Sequence, residues 1–142
     1  MTVTRTHNID IINKATEDYK HELTGFVPDF WLCIPTNVAL TNEYGDVALF
    51  ERKAELAGTV MGHYFFHSRG KQARTTAKEM IREIFTGPYD VTSITGLTPI
   101  EKRGALWMNR QLGFSHEEEV FTTAGPCRFV LLTKQEWELL HG

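Results

Sequence analysis

HSRGKQAR, residues His67 to Arg74, is the stretch of this sequence whose residue types come nearest to a binding site. An apolar run, HYFF, leads directly into it, and helical spacing follows. The first turn of a helix carries partial positive charge and favours Asp or Glu. Here Arg69, Lys71 and Arg74 stand in that place. Unpaired N–H groups at a helix start, a glycine at position 70 that lets a ligand approach the backbone, and these cations together describe a site for an anion, most naturally a phosphate. The same residues also fit long cationic side chains that simply turn into solvent, and spacing by itself does not choose. Cysteine adds no second chemistry. Cys33 and Cys127 stand alone, without a CxxC pair or a His at ligand spacing, so neither a metal site nor a disulfide framework is expected.

Hydrophobic spacing supplies the elements that must hold these residues. Val3 suggests a short first strand. Ile9, Ile12, Ala15 or Thr16, Tyr19 and Leu23 recur at helical spacing with Asn8 or Asp10 placed to cap, which predicts a helix over about 10–23. GFVPDFWLCIPTN is aromatic and broken twice by proline, and fits a short helix or an irregular packed segment. VALTNEYGDVALFERK reads as a β-hairpin turning through Asn42 to Asp46. LAGTVMGHYFFH reads as a third strand of that group, apolar on both faces and therefore central. From Lys71 to Phe85 the residues Ala73, Ala77, Met80, Ile81, Ile84 and Phe85 make one helical stripe, stopped by Gly87-Pro88. YDVTSITGL is a buried strand, Thr98 to Leu112 a helix, and FSHEEEVFTTAGPCRFVLLT a second hairpin turning at Gly125-Pro126. The expected order is β, α, βββ, α, β, α, ββ, a mixed α/β pattern containing a β-helix-β crossover.

The segment TPIEKRGALWMNRQLGF needs its own reading. Thr98-Pro99-Ile100-Glu101 has the form of a capping box, with proline at the first helical position where its missing N–H costs nothing. Ala105, Met108 and Leu112 form the expected buried stripe. Gly113 is the left-handed residue past the end, and Phe114 folds back onto Met108. A packed scaffold helix explains all of this without a ligand.

Composition narrows the class. A chain of 142 residues buries roughly two thirds of its unfolded surface, and no repeat or linker divides it, so residues 1–142 read as one domain. Apolar residues at 42%, with nine Phe, four Tyr and three Trp, exclude disorder. A net charge of −3 offers no broad basic surface, so nucleic acid is not an expected partner. The amino terminus lacks the apolar core of a signal peptide, and no apolar run is long enough to span a membrane. The expectation is a reducing, cytoplasmic setting without membrane contact.

A strand, a glycine-bearing loop, a helix, a strand and a helix ending in Leu-Gly-Phe resemble the core of the GCN5-related N-acetyltransferases, the GNAT superfamily, over about 46–129. The resemblance implies a mixed, mostly antiparallel central sheet flanked by helices, with a strand-helix-strand-helix core that holds acetyl-coenzyme A (acetyl-CoA). In that family the loop typically reads Gln/Arg-x-x-Gly-x-Gly/Ala, and its amides hold the pyrophosphate. With Gly70 at the first glycine, His67 stands at the Gln/Arg position and Gln72 at the second Gly/Ala, while Ala73 restores close approach one residue later. The coenzyme-binding residues so implied are Tyr64, Phe65, Arg69, Gly70, Lys71, Gln72, Ala73, Arg74 and Asn109. The later helix of the family tends to read Asn-x-x-Ala-x-x-x-Tyr-x-x-x-Gly-Phe. Ala105, Gly113 and Phe114 fit that register, while Lys102 replaces the Asn and Asn109 the Tyr. That tyrosine is often the general acid for the departing thiolate, whereas an amide donates a hydrogen bond but gives up no proton at neutral pH. The Thr-Pro and Arg103 form of this helix is also similar to GNAT-like proteins of tailed bacteriophages, some linked to head assembly.

The activity implied is transfer of an acetyl group from acetyl-CoA to a primary amine, on a small molecule or a peptide, by direct attack. The protein must then deprotonate an ammonium, steady an oxyanion and protonate a thiolate. The resemblance sets the oxyanion partner at a bulge in the fourth strand, for which Gly62 is the natural residue. His63 follows as the candidate base, with an unperturbed pKa of about 6.5. Tyr64 is the candidate acid and Glu51, ending the third strand, a second candidate base. Each also has a plain structural reading, as a packed histidine, a core tyrosine and a solvated strand-end charge. The alternative function is a binding or assembly module that keeps the fold without the chemistry, to which Lys102, Gln72 and Asn109 point. A homodimer or an assembly partner stays open.

Overall fold

A computed structural model describes residues 2–19, 26–53, 55–123 and 125–141. Its strands are β1 (Thr4–Arg5), β2 (Val38–Thr41), β3 (Val47–Arg52), β4 (Thr59–Phe65), β5 (Ser93–Pro99), β6 (Ser115–Thr122) and β7 (Gly125–Thr133). The helices are α1 (Ile9–Thr16), α2 (Pro28–Cys33), α3 (Gly70–Thr86), α4 (Arg103–Gln111) and α5 (Lys134–His141). One seven-stranded sheet runs in the order β1-β2-β3-β4-β5-β7-β6. All neighbours are antiparallel except β4 and β5, which α3 joins as a crossover. The mixed, mostly antiparallel sheet flanked by helices is as expected, with β4 at its centre.

Alternation along the strands divides the core in two. Ala48, Phe50 and Val60 face α3, where they meet Ala77, Met80, Ile81, Ile84 and Phe85. The larger of these side chains each contribute roughly 1.5–3 kcal/mol through burial. Val47, Leu49 and Phe65 face the other way, toward Ile12 and Ala15 of α1 and Trp31 of α2. Asn8 caps α1 by accepting from the Asp10 N–H at 2.9 Å. The α-helix ends at Thr16 and a 3₁₀ turn continues to Tyr19. The rest of the expected helix, to Leu23, lies outside the described residues.

The helix expected over 98–112 is corrected at its start. Thr98 and Pro99 belong to β5, paired with Arg128 and Cys127 of β7, and α4 begins only at Arg103 after an N-cap, Lys102, that makes no side-chain cap. Continuing an established ladder outweighs a single local cap. The buried stripe shifts accordingly. Leu106 is buried and Ala105 exposed, while Leu112 and Phe114 join the α3-side core with Met108 packed against it. Gly113 is left-handed, as expected, at φ +97°.

The bulge expected at Gly62 is also absent from the ladder with β3, where Leu49↔His63, Phe50↔Gly62 and Glu51↔Met61 keep perfect step. Glycine leaves room there for the Tyr64 ring, since a Cβ would stand 2.6 Å from its hydroxyl and 3.0 Å from Cζ and the ring would have to shift. A register shift does occur in β6, between Ser115 and Glu118. One further helix, α5, has no counterpart in the expected order. It starts at a capping box in which the Glu136 N–H donates to Thr133 Oγ1 at 3.1 Å and the Thr133 N–H donates to Glu136 Oε1 at 3.3 Å.

Candidate active site

Pairing between β4 and β5 runs Thr59↔Ser93, Val60↔Ile94 and Met61↔Thr95 and then ends. Both strands continue, β4 held to β3 as far as Phe65 and β5 held to β7 as far as Pro99. Each follows its outer partner, and a cleft of about 790 Å³ opens where they part. Gly62, His63, Tyr64 and Phe65 form one wall, Thr95 to Pro99 the other, and Ala105 and Asn109 of α4 join the lining.

His63 and Tyr64 are consecutive in a strand, so they serve opposite faces. His63 lies on the α1 side, diagonal to Glu51, with Nε2 3.9 Å from Glu51 Oε2. Burial lowers the pKa of His63 below 6.5, Lys53 lowers it further, and the Glu51 carboxylate opposes both. The imidazole is therefore neutral at pH 7 and able to take a proton. Tyr64 lies on the α3 side, where its ring meets Phe50 and Phe66 edge-on at 5.9 and 6.0 Å. Its hydroxyl is buried without a hydrogen-bond partner, and that burial pushes its pKa far above 10. Asn109 approaches from the same side and donates from Nδ2 to Thr98 Oγ1 at 3.0 Å. The Phe65 ring turns to the other face, edge-on to Tyr19 at 5.1 Å.

Beyond β4 the chain passes to α3 through a loop that Asp46 fastens. Asp46 has no exposed surface. Its carboxylate accepts from the N–H groups of His67 and Ser68 at 2.7 and 3.0 Å, from Ser68 Oγ at 2.6 Å, from Thr76 Oγ1 at 3.2 Å and from Asn42 Nδ2 at 3.3 Å. Burial raises its pKa, but the bonds from Ser68, Asn42 and His67 prevail and hold it below the usual value. Arg69 folds back, Nη1 donating to the carbonyls of Phe66 and Ser68 at 2.6 and 3.0 Å. Gly70 is left-handed at φ +59°, and a Cβ on it would meet nothing within 4 Å. Lys71 and Gln72 are exposed, Arg74 half-buried and Ala73 buried.

The structure thus gathers His63, Tyr64, Phe65 and Asn109 at one cleft and sets Glu51 beside His63. Residues 69–74 stand apart at the start of α3 and do not line it. Two contributors escape the sequence reading. Thr98 is expected as a cap but partners Asn109, and Asp46 reads only as a turn residue, since nothing local shows that its donors His67, Ser68 and Thr76 lie more than twenty residues on. Among the described residues no three His, Cys, Asp or Glu side chains gather to hold a metal ion, and no helix is long and apolar enough to cross a membrane.

No family model matches the sequence, and no curated protein does. Solved structures match it over nearly its whole length. Spermidine N-acetyltransferase from Vibrio cholerae, in complex with CoA and spermine, aligns with a TM-score of 0.71 at 9% identity, covering 96% of this chain and 97% of that one. The aminoglycoside N-acetyltransferase AAC(6')-Ib11 aligns with a TM-score of 0.65 at 14% identity, covering 96% and 99%. YncA from Salmonella typhimurium, assigned as an acetyltransferase and solved with acetyl-CoA, gives 0.63 at 15% identity, covering 93% and 92%. The chain has the GNAT fold. Within it, Asn109 occupies the α4 wall of the cleft, at the position where the resemblance sets a tyrosine.

Proposed function

We propose that this GNAT-fold protein transfers an acetyl group from acetyl-CoA to a primary amine. The observation that carries the reading is the parting of β4 from β5, which opens a cleft with a neutral histidine beside a carboxylate on one face and hydrogen-bonding groups on the other. Two features of the chain fit the coenzyme. Open space over the left-handed Gly70, with the cations of Lys71 and Arg74 close by in sequence, suits a pyrophosphate. The buried, unpartnered Tyr64 hydroxyl in the cleft wall suits a polar group of the ligand.

Acetyl-CoA supplies an activated acyl thioester. His63 accepts the proton of the incoming ammonium, and Glu51 steadies the imidazolium that results. The backbone of β4 beyond Met61, released from pairing with β5, supplies the N–H group that steadies developing negative charge. The amine nitrogen bonds to the acyl carbon as the carbon–sulfur bond breaks, and CoA leaves as a thiolate. Tyr64 holds its proton firmly and Asn109 carries only amide protons, so both act on the α3 side as hydrogen-bond donors to that sulfur, and the thiolate takes its proton from water. The half-exposed Glu51 carboxylate favours a cationic acceptor, and the spermine bound by the Vibrio cholerae neighbour makes polyamines the first class to test.

The test is coenzyme A binding by shift of melting temperature, followed by thiol release from acetyl-CoA with polyamines, amino acids and lysine peptides. Binding with turnover that falls in His63→Ala supports the proposal. Turnover that survives both His63→Ala and Tyr64→Phe refutes the residue roles but keeps the enzyme class. No binding and no turnover overturns the class and favours an assembly or binding module. Asn109 and the buried Tyr64 hydroxyl support that second reading, since neither presents an exposed acid. Asn109→Tyr separates the two further, because it raises the rate only where a coenzyme already binds.

A further inference from the structure

The carboxylate of Asp46 has no part in the chemistry above, yet it is completely buried and accepts from donors in the β2–β3 turn, the loop after β4 and α3. A buried ionised group is costly and persists where several donors converge on it. A hairpin turn alone needs no such group, since Asn and Gly form turns at lower cost. The network is also braced from behind. Asn42 Oδ1 accepts from the N–H groups of Tyr44 and Asp46, and Asn42 Nδ2 reaches both Asp46 and Thr76.

We infer that Asp46 is the positioning residue for the phosphate-binding start of α3. The inference rests on the coenzyme reading proposed above. Asp46 takes up the N–H groups of His67 and Ser68 and the hydroxyl of Ser68, so these two residues of the loop before Gly70 are fixed against the sheet. Its further bond to Thr76 fixes the second turn of α3 against the same carboxylate. The first N–H groups of α3, which lack intrahelical partners, are therefore presented from a clamped loop. Arg69 reinforces the clamp through the Phe66 and Ser68 carbonyls.

The neutral isostere separates this role from a purely electrostatic one. A negative charge near a phosphate site repels the ligand, so if charge were the main effect, Asp46→Asn would tighten coenzyme binding. If positioning dominates, it weakens binding, because an amide cannot accept from all of those donors at once. The experiment compares parent, Asp46→Asn and Ser68→Ala in three measurements: coenzyme A titration by calorimetry, acetyl transfer from acetyl-CoA against phosphate-free S-acetylpantetheine, and amide hydrogen exchange at His67 and Ser68. The expected result for Asp46→Asn is a loss of about tenfold or more in coenzyme A affinity. A raised KM for acetyl-CoA, unchanged transfer from S-acetylpantetheine and faster exchange at both amides accompany it. Ser68→Ala, which removes only the hydroxyl bond, gives the same pattern at smaller size and serves if Asp46→Asn does not fold. Equal or tighter binding by folded Asp46→Asn, equal losses with both donors, or unchanged amide exchange overturns the inference. A parent that binds no coenzyme A overturns the functional reading and this role with it, and its own titration distinguishes that outcome.

Discussion

Gly70→Ala and Gly104→Ala make the same chemical change in the same kind of space, and they should move stability in opposite directions. A Cβ at either position meets nothing within 4 Å, so packing contributes nothing to the difference. Backbone conformation decides it. Gly70 sits at φ +59°, where an L side chain costs roughly 1–2 kcal/mol. Restricting the unfolded chain returns roughly 0.4–1 kcal/mol of that. The net expectation for Gly70→Ala is a loss of about 0.5–1 kcal/mol. Gly104 lies within α4 at an ordinary angle, where replacing Gly by Ala gains up to about 1 kcal/mol. The two variants should therefore differ by about 1–2 kcal/mol, or a few degrees in Tm. Urea denaturation of parent and both variants measures the difference directly. Coenzyme A titration of the same proteins then tests function, because the Gly70 methyl enters the space assigned to pyrophosphate while the Gly104 methyl does not. Equal stabilisation of both variants would refute the left-handed turn at Gly70. Parent-like coenzyme affinity in Gly70→Ala, and in the bulkier Gly70→Val, would refute the phosphate assignment.

Three other outcomes are expected. With His63 as base and its pKa lowered by burial, kcat/KM should be flat through neutral pH and fall only as acid protonates the ring below pH 6.5; an inflection above 7 would exclude His63 from this role. Tyr64→Phe removes a buried hydroxyl that has no partner, so the free protein should be at least as stable as the parent by thermal melting, while loss of that hydrogen-bond donor lowers turnover by up to about 10²-fold. Asp46 has a folded pKa below 3.8, so its stabilisation is present above 3.8 and lost as pH falls through the folded value; acid titration of Asp46→Asn should lack that part of the unfolding curve, and an unchanged acid limb would show that Asp46 is not the group titrating.

Local pattern and tertiary partnership divided this protein unevenly. The apolar stripe of α3, the hairpin about Asn42 to Asp46, the central placement of β4 and the left-handed Gly113 were all legible, because each depends on periodicity or on one residue's own backbone freedom. The opposite facing of His63 and Tyr64 follows from strand alternation alone. The cleft was not legible, because it exists where β4 and β5 stop pairing, and that point is set by how far β3 and β7 hold each of them. Nor was the clamp on the α3 start, whose carboxylate and donors come from separate parts of the chain. The Thr-x-x-Glu motif shows the division most directly. At Thr133 to Glu136 it closes a real capping box and starts α5. At Thr98 to Glu101 the same pattern caps nothing, since its first two residues continue a ladder with β7 that already runs from Ser93. A side-chain cap is worth about 1 kcal/mol, and an unbroken ladder with its cross-strand contacts is worth more, so the motif means helix only where no neighbouring strand claims its residues.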